Sequence, residues 1–411
     1  MARTLDVYLH QQKVGQLVQY DHGQMLFGYD SEWLNNSNAI ALSHSLPLRE
    51  EPFTRSECRG FFGGILPEES KREMVAKNLG ISARNDFAML EQIGGECAGA
   101  ITFLPEGEAL PAQRPDYRPL SDNDLAAVLE VLPRRPLMAG EDGIRLSLAG
   151  AQDKIAVHVK DGVISIPLGG APSTHILKPA IEHFAGTVYN EAFCMQLAAA
   201  SGLPTANTST HSVKGIDYLL VERYDRTHDA SGIVQRVHQE DFCQALGVPS
   251  DMKYQSEGGV TLAQSFALLR AVSSMPVIDL QRLLDAVIFN ILVGNNDAHG
   301  KNFSLLYQAG QTRIAPLYDV LCTAYYPELS PKMAMKLGKE YEAEKLFPRH
   351  FERFAEEVGL GKALVKKRIL ELTDAVSQAL EAMETPNETI ADLPEFIRQR
   401  CIMIRDRMDE K

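Results

Sequence analysis

The run LQRLLDAVIFNILVG, Leu280 to Gly294, sets Leu283, Leu284, Val287, Ile288, Ile291 and Leu292 on one broad apolar stripe at the helical period. A helix with that stripe must be buried, so the rest of the chain has to build a core that covers it. The next stretch is opposite in character. VGNNDAHGKNFSLLYQAGQTRIAPLYDV, Val293 to Val320, crowds two Asp, three Asn, one His and one Lys between apolar segments. FSLLY and RIAPLY flank a Gly-containing turn, which puts the polar residues at the mouth between a buried helix and a hairpin. Each Asn or Asp alone is an ordinary turn or cap residue that bonds neighbouring amides. The combination is more specific: Asp297 and Asn302 stand in D-x-x-x-x-N spacing, and Asp319 arrives at the end of the next hairpin.

Phosphoryl transfer needs those groups in that order. One carboxylate orients the attacking hydroxyl, and an Asn with a second carboxylate holds magnesium ions on the nucleotide phosphates. Asp297 is the expected catalytic residue, and Asn302 and Asp319 are the expected Mg²⁺ ligands of an ATP site. His299 and Lys301 lie between them as candidates for neutralising developing charge, although a His in a polar loop is as often a simple hydrogen-bonding residue. A kinase also needs a Lys on a strand and a loop over the phosphates, because the transferred group carries charge that must be balanced. Lys178 in HILKPA is placed for the first role; the plainer alternative is a strand-end lysine pointing to water. Ala149, Gly150, Ala151 and Gln152 in SLAGAQDK, Ser147 to Lys154, are placed for the second. That segment has one glycine and is weak alone, yet its small residues allow close backbone approach to phosphate. In LLVERYDR the strand can end at the adenine, with backbone groups of Glu222, Arg223 and Tyr224 pairing the base and Asp225 next to them at the nucleotide; the alternative is a surface salt-bridge run.

A chain of 411 residues exceeds one hydrophobic core and predicts two or three domains. Leu5, Val7, Leu9, Val14 and Leu17 alternate with polar residues, the period of half-buried strands, and predict a small, mostly β N-terminal domain over 1–108. Within it, EESKREMVAKNLGI reads as a helix ending near Gly80 and AGAITFLPE as a strand. Pro105, Pro111, Pro115 and Pro119 mark a connection rather than an element, so 109–140 is expected to hold a Pro-containing link and a helix. IAVHV and VISIP around Asp161-Gly162 predict a hairpin, and HILKPA and DYLLVERYDR predict strands, giving an N-lobe over 141–225. YNEAFCMQLAAASGL reads as a helix stopping at Gly202, and 226–411 as a helical C-lobe with the catalytic loop. The expected class is α+β: a β-rich N-terminal domain and a two-lobed kinase-like core.

Composition excludes several alternatives. A formal net charge of -13 and a pI near 5.4 argue against a nucleic-acid footprint over the whole surface, which needs Lys and Arg to displace counterions. Six cysteines lie far apart with no C-x-x-C pair, which points to reduced core residues rather than a disulfide scaffold or structural metal. The first residues lack the pattern of a signal peptide, and no segment is apolar enough to span a bilayer. A cytoplasmic protein without membrane contact is expected.

LSHSLPL, FFGGILPEE, IGGECAGAITFLPE, RLSLAGAQDK, THILKP, NE, VERYDR, NDAHGKNFS, PLYDV and FPRHF, in this order and over nearly the whole chain, resemble the HipA-type toxin kinases. The resemblance implies a serine/threonine protein kinase of a bacterial toxin–antitoxin system, with Asp297 catalytic, Asn302 and Asp319 as magnesium ligands, Lys178 on the phosphates and Ser147 autophosphorylated. It further implies a helix-turn-helix antitoxin dimer as partner, operator DNA reached mainly through that antitoxin, and an aminoacyl-tRNA synthetase as substrate. LYDV lacks the Phe and Gly of D-F-G, and NDAHGKN stands where H-R-D would be, which matches the family and counts against a eukaryotic-type activation loop. Two alternatives stand beside this. A lipid or small-molecule phosphotransferase shares the D-x-H-x-x-N loop, but the acidic chain shows no basic amphipathic surface. A non-catalytic co-repressor would be expected to have lost Asp297, Asn302, Asp319 or Lys178, and all four are present.

Overall fold

The computed structural model describes residues 2–108, 110, 115–384 and 387–409, so Pro111 lies outside the described residues. The chain divides into two compact units, Met1–Pro179 with His211–Asp251 and Leu306–Gln308, and Ala180–Thr210 with Met252–Leu305 and Ala309–Lys411.

The first unit opens with β1 (Arg3–Leu9), β2 (Gln12–Gln19) and β3 (Met25–Tyr29), which form an antiparallel sheet in the order β3-β2-β1-β4 with β4 (Ile101–Pro105). The alternation read from the sequence holds: Leu5, Val7, Leu9, Val14 and Leu17 are all buried. Helices α1 (Ser31–Leu34), α2 (Arg55–Gly64), α3 (Glu69–Leu79) and α4 (Asp86–Ile93) intervene before β4. Helix α3 ends as expected at Gly80, whose φ of +67° closes the last turn in the left-handed region that glycine adopts without strain.

A second sheet places β5 (Asp116–Pro119), β7 (Val163–Leu168), β6 (Ile155–Lys160), β8 (His175–Pro179) and the strand Ile216–Glu222 side by side in that order. The β6–β7 hairpin turns on Asp161 and Gly162, both at positive φ, as a two-residue turn of the twist-matched kind requires. β5 corrects the expectation that the proline-rich stretch holds no element. Asp116–Pro119 pairs with one side of β7 at the sheet edge, where a residue without an N–H is tolerated. The expected helix follows as α5 (Asp122–Val131), with Ser121 and Asp124 closing a capping box at its start. One apolar cluster runs from Leu5 through Phe62 and Phe103 to Ile155, Leu177 and Leu220, so the N-terminal strands and those of the second sheet share a core.

The second unit is largely helical: α6 (Thr187–Ala200), then, after the short α7 (Phe242–Ala245) of the first unit, α8 (Leu262–Val272), α9 (Pro276–Val293), α10 (Pro348–Glu357), α11 (Lys362–Ala382) and α12 (Leu393–Asp409). Helix α9 is the apolar run of the sequence, and it packs against α8, α11 and α12. Pro276 starts it, where a missing N–H is harmless. Asp279 in its first turn is fully buried and receives the Arg313 guanidinium on both carboxylate oxygens at 2.9–3.2 Å, while the Ser273 hydroxyl donates to it at 2.6 Å. That bidentate pair ties the strand Gln311–Ile314 to the helix that precedes the polar loop. All six cysteines are buried and unbridged. Among the described residues no helix is long and apolar enough to cross a membrane.

Candidate active site

The polar loop begins where α9 stops. Gly294 adopts φ +80°, and a Cβ there would lie 2.9 Å from both Ala324 Cβ and Arg400 Nε, so the chain can turn at this point only with glycine. Asn290, inside the helix, accepts the Asn295 side-chain N–H at 2.8 Å, and Asn295 Oδ1 in turn accepts the Asp297 backbone N–H at 3.2 Å. Asn296 is held by Thr323 Oγ1, which accepts its N–H at 2.8 Å, and by the Ala334 N–H, which reaches its carbonyl at 2.7 Å. These bonds fix the backbone leading into Asp297, whose side chain is exposed and takes a hydrogen bond from the Tyr254 hydroxyl at 2.8 Å.

Beyond Asp297 the short helical turn Gly300–Asn302 reverses the chain. His299 caps it: Nδ1 accepts the Lys301 N–H at 3.3 Å, and the His299 N–H donates to Asn302 Oδ1 at 3.0 Å. His299 makes these capping bonds, and Lys301 beside it is buried. Asn302 Nδ2 donates to Asp319 Oδ2 at 3.1 Å, although 17 positions separate the two residues. Tyr318 clamps the intervening hairpin, donating to Lys301 O at 2.6 Å and sharing a 2.7 Å hydrogen bond with Ser304 Oγ. Asp319 itself stands at φ +58°, a left-handed conformation that Asp tolerates at some cost and that is enriched where a site over-determines the backbone. Asp319 supplies a carboxylate, and Asn302, whose amide N–H faces it, supplies an Oδ1 with two lone pairs of which the His299 N–H takes one; both are hard oxygen donors of the kind Mg²⁺ takes, with phosphate and water completing its shell. The residues present fit that ion.

The first unit carries the remaining expected residues. Lys178 is buried on β8 opposite Leu219. The segment Ser147–Lys154 is held at several points. Ser147 N–H donates to Glu96 O at 2.9 Å, and its hydroxyl, wholly buried, donates to Ile65 O at 3.0 Å. Gly150 stands at φ +107° and accepts the Glu68 N–H at 3.2 Å. Lys154 Nζ donates to Ala149 O at 2.8 Å, and Lys71 pairs with Asp153 at 2.7 Å. Ala149, Gly150, Ala151 and Gln152 are all half-buried.

The end of the strand Ile216–Glu222 is organised by a buried ion cluster. Arg223 donates to Asp225 at 2.7 and 2.9 Å and to Cys97 O at 3.0 Å, and its N–H is taken by Thr174 O. Arg226 and Arg236 converge with Arg223 on the carboxylate of Glu96, which is fully buried. The three guanidinium groups hold Glu96 at about 2 against the opposing effect of burial. The side chains of Arg223 and Asp225, expected at the nucleotide, thus point into the protein, whereas Tyr224 is half-buried with its hydroxyl on Gln239. Sequence reasoning missed Glu96, Arg236, Lys71 and Tyr254. None has a periodic or spacing signal, since Lys71 meets Asp153 across 82 residues, Glu96 meets Arg226 across 130, Arg236 meets Thr102 across 134 and Tyr254 meets Asp297 across 43.

The fold is α+β with a kinase-like core, a strand-rich first unit and a largely helical second one. Comparison with known proteins is more particular. Residues 5–104 match the HipA N-terminal domain and residues 146–380 the HipA-like C-terminal domain, and the chain belongs to the HipA family. It is 51% identical to the protein named "Putative kinase Y4mE" of Sinorhizobium fredii, over 92% of this chain and 91% of that one. It is 29% identical to the serine/threonine-protein kinase toxin HipA of Shewanella oneidensis, over 92% and 88%. The solved HipA of Shewanella oneidensis MR-1, in complex with HipB and its operator DNA, superposes with a TM-score of 0.86 at 26% identity over 98% of each chain.

Proposed function

We propose that this chain is a serine/threonine protein kinase that transfers the γ-phosphate of ATP to a protein. The observation that carries the reading is the loop at the end of α9. An exposed Asp297 sits at the end of a backbone fixed at Asn295 and Asn296, and the following hairpin returns Asp319 to Asn302 at 3.1 Å. In this reading the acceptor hydroxyl oxygen forms a bond to the γ-phosphorus, the bond from that phosphorus to the bridging oxygen breaks, and ADP leaves. Asp297 orients the hydroxyl and takes its proton. Asn302 and Asp319 would hold Mg²⁺, which would supply positive charge against the phosphates. Lys178 and Lys301 supply positive charge, His299 shapes the loop, and the small residues of the Ser147–Lys154 segment approach the phosphates.

Backbone groups of Glu222 to Tyr224 carry the adenine contact in this proposal, while the Arg223 and Asp225 side chains serve the ion cluster. Ser147 is the autophosphorylated residue. Its burial means that the segment must open before modification, which makes the loop a two-state element. The partner is a HipB-like helix-turn-helix antitoxin through which operator DNA is reached, a reading supported by the complex in which the Shewanella protein was solved and by the acidic charge of this chain. An aminoacyl-tRNA synthetase is the proposed substrate, with arrested translation and persistence as the outcome in the cytoplasm.

The test is incubation of the full chain with γ-labelled ATP, Mg²⁺ and host lysate, and then identification of labelled protein. Label on a synthetase, absent with Asp297→Asn, is expected. A chain that transfers no label under any metal would end the kinase reading. Asp319→Ala is expected to weaken ATP binding in Mg²⁺ and to leave metal-free binding unchanged, read by calorimetry.

A further inference from the structure

Tyr254 is built against Asp297. Its hydroxyl donates to Asp297 Oδ1 at 2.8 Å, and its ring meets that of His299 edge to face with centroids 5.6 Å apart. The segment that carries it is anchored. The N–H groups of Glu257 and Gly259 both donate to Tyr254 O at 2.9 Å, and Gln255 Oε1 accepts the Lys336 N–H on the strand Lys332–Leu337 at 2.9 Å. Gly259 permits the turn, since a Cβ there would come within 2.3 Å of Met252 O. The Lys253 ammonium lies 5.3 Å from the centre of the Tyr254 ring.

A carboxylate on an exposed position can rotate about its last bond, and an acceptor hydroxyl needs one oxygen at a fixed place. We propose that Tyr254 is a positioning residue for phosphoryl transfer: by donating to Oδ1 it sets the plane of the Asp297 carboxylate and so fixes where Oδ2 meets the acceptor hydroxyl. The inference rests on the kinase reading and goes beyond it, because the residue lies outside the polar loop, on a segment that loop does not predict. Asn295 fixes the Asp297 backbone and Tyr254 fixes its side chain, so two separate elements define one oxygen.

The experiment compares wild type, Tyr254→Phe, Asp297→Asn and the double variant. The initial rate of label transfer into host lysate protein is measured at saturating ATP, with the apparent KM for ATP and the melting temperature from the same preparations. Tyr254→Phe keeps the ring and its contact with His299. It is expected to lower the rate on the order of ten- to a hundredfold, as misplacement of a reacting group does, with KM for ATP and melting temperature unchanged. In the Asp297→Asn background the same change is expected to add no further loss, because the group it positions is gone. A Tyr254→Phe chain that transfers at the parental rate or faster overturns the proposal, and a faster one would mean that the hydroxyl competes with the acceptor. An equal loss in both backgrounds, or a raised KM for ATP with a lowered melting temperature, overturns it as well, by showing a merely structural role. A wild type that transfers no label fails the kinase reading itself, and is told apart from these outcomes by that control.

Discussion

Glu96 and Asp297 are both acids set in dense polar networks, and they are built on opposite terms. Glu96 has no exposure and lies among Arg223, Arg226 and Arg236, with Asp225 completing the cluster. Asp297 is exposed and takes a hydrogen bond from a tyrosine hydroxyl on another segment. Burying charge is tolerable only when partners replace the lost water, so the first cluster is closed to ligands by the same contacts that make it possible. An exposed carboxylate on a fixed backbone keeps its reactivity and needs only orientation. Architecture and chemistry draw on the same residue types here, and solvent access separates them.

The largest effect expected from breaking this contrast is on rate. Asp297→Asn removes the acceptor of the proton and should lower transfer on the order of 10²–10⁴-fold. Thermal unfolding and ATP affinity should be unchanged, since an exposed side chain contributes little to packing. A variant that loses melting temperature along with activity would put Asp297 in the same class as Glu96.

The reverse is expected for Glu96→Gln, which leaves two buried guanidinium groups and the half-buried one of Arg236 with one acid fewer and should destabilise by about 3–5 kcal/mol. The pH dependence has a definite sign. Glu96 is held at about 2 in the fold, below the value near 4.5 of an unperturbed Glu, so its contribution is fully present above about 4.5 and is lost as pH falls through about 2. Urea unfolding across that acid window should show a steeper loss in wild type than in Glu96→Gln. Matching slopes would mean that the arginines do not stabilise the ionised form.

The same contrast explains how much is legible in the sequence. The loop after α9 is readable because its groups are local: D-x-x-x-x-N and the returning Asp lie within one helix-to-hairpin connection. The buried helix, the Asp161-Gly162 turn and the Gly80 stop are readable because each is a short-range pattern with its own physics. The Glu96 cluster is not, because Glu96 and Arg226 are 130 positions apart, and VERYDR reads equally well as a hinge or a surface charge run. Tyr254 escapes for the same reason at 43 positions. The edge strand β5 is hidden by its prolines, which argue against a strand unless the sheet edge is already known.

Glu240 sharpens the comparison by separating burial from charge pairing. It is as buried as Glu96, but it accepts from Ser43 Oγ and Tyr307 Oη at 2.5 Å and from the His44 N–H at 2.9 Å. Burial is the largest influence on it and pushes its carboxyl up to about 7. Because the folded value lies above the unfolded one, its stability contribution is fully present below about 4.5 and is lost as pH rises through about 7. A rise from 4.5 to about 7 corresponds to about 3 kcal/mol. Glu240→Gln should remove that loss, so wild type and variant are expected to diverge in unfolding midpoint on going from about pH 5 to about pH 8. Parallel curves would show that the three donors already stabilise the ionised form as well as arginine does.

The smallest expected effect concerns Ser147, which belongs to the first unit by burial and to the proposed chemistry by role. Its hydroxyl has one described contact, the 3.0 Å hydrogen bond to Ile65 O, and Ser147→Ala should cost about 1 kcal/mol, the usual worth of one such bond. A phosphate there is a different matter. It adds about -1.5 to -2 charge and cannot occupy a wholly buried position, so the modified segment must leave the place it holds between Ile65 and Glu96. Phosphate at Ser147 should therefore be found by mass spectrometry in active wild type and be absent in Asp297→Asn, and the modified form should have lost ATP binding. Ser147→Ala should fold, bind ATP and stay unmodified. An active wild type with unmodified Ser147 would return this residue to the purely architectural side, where Glu96 already stands.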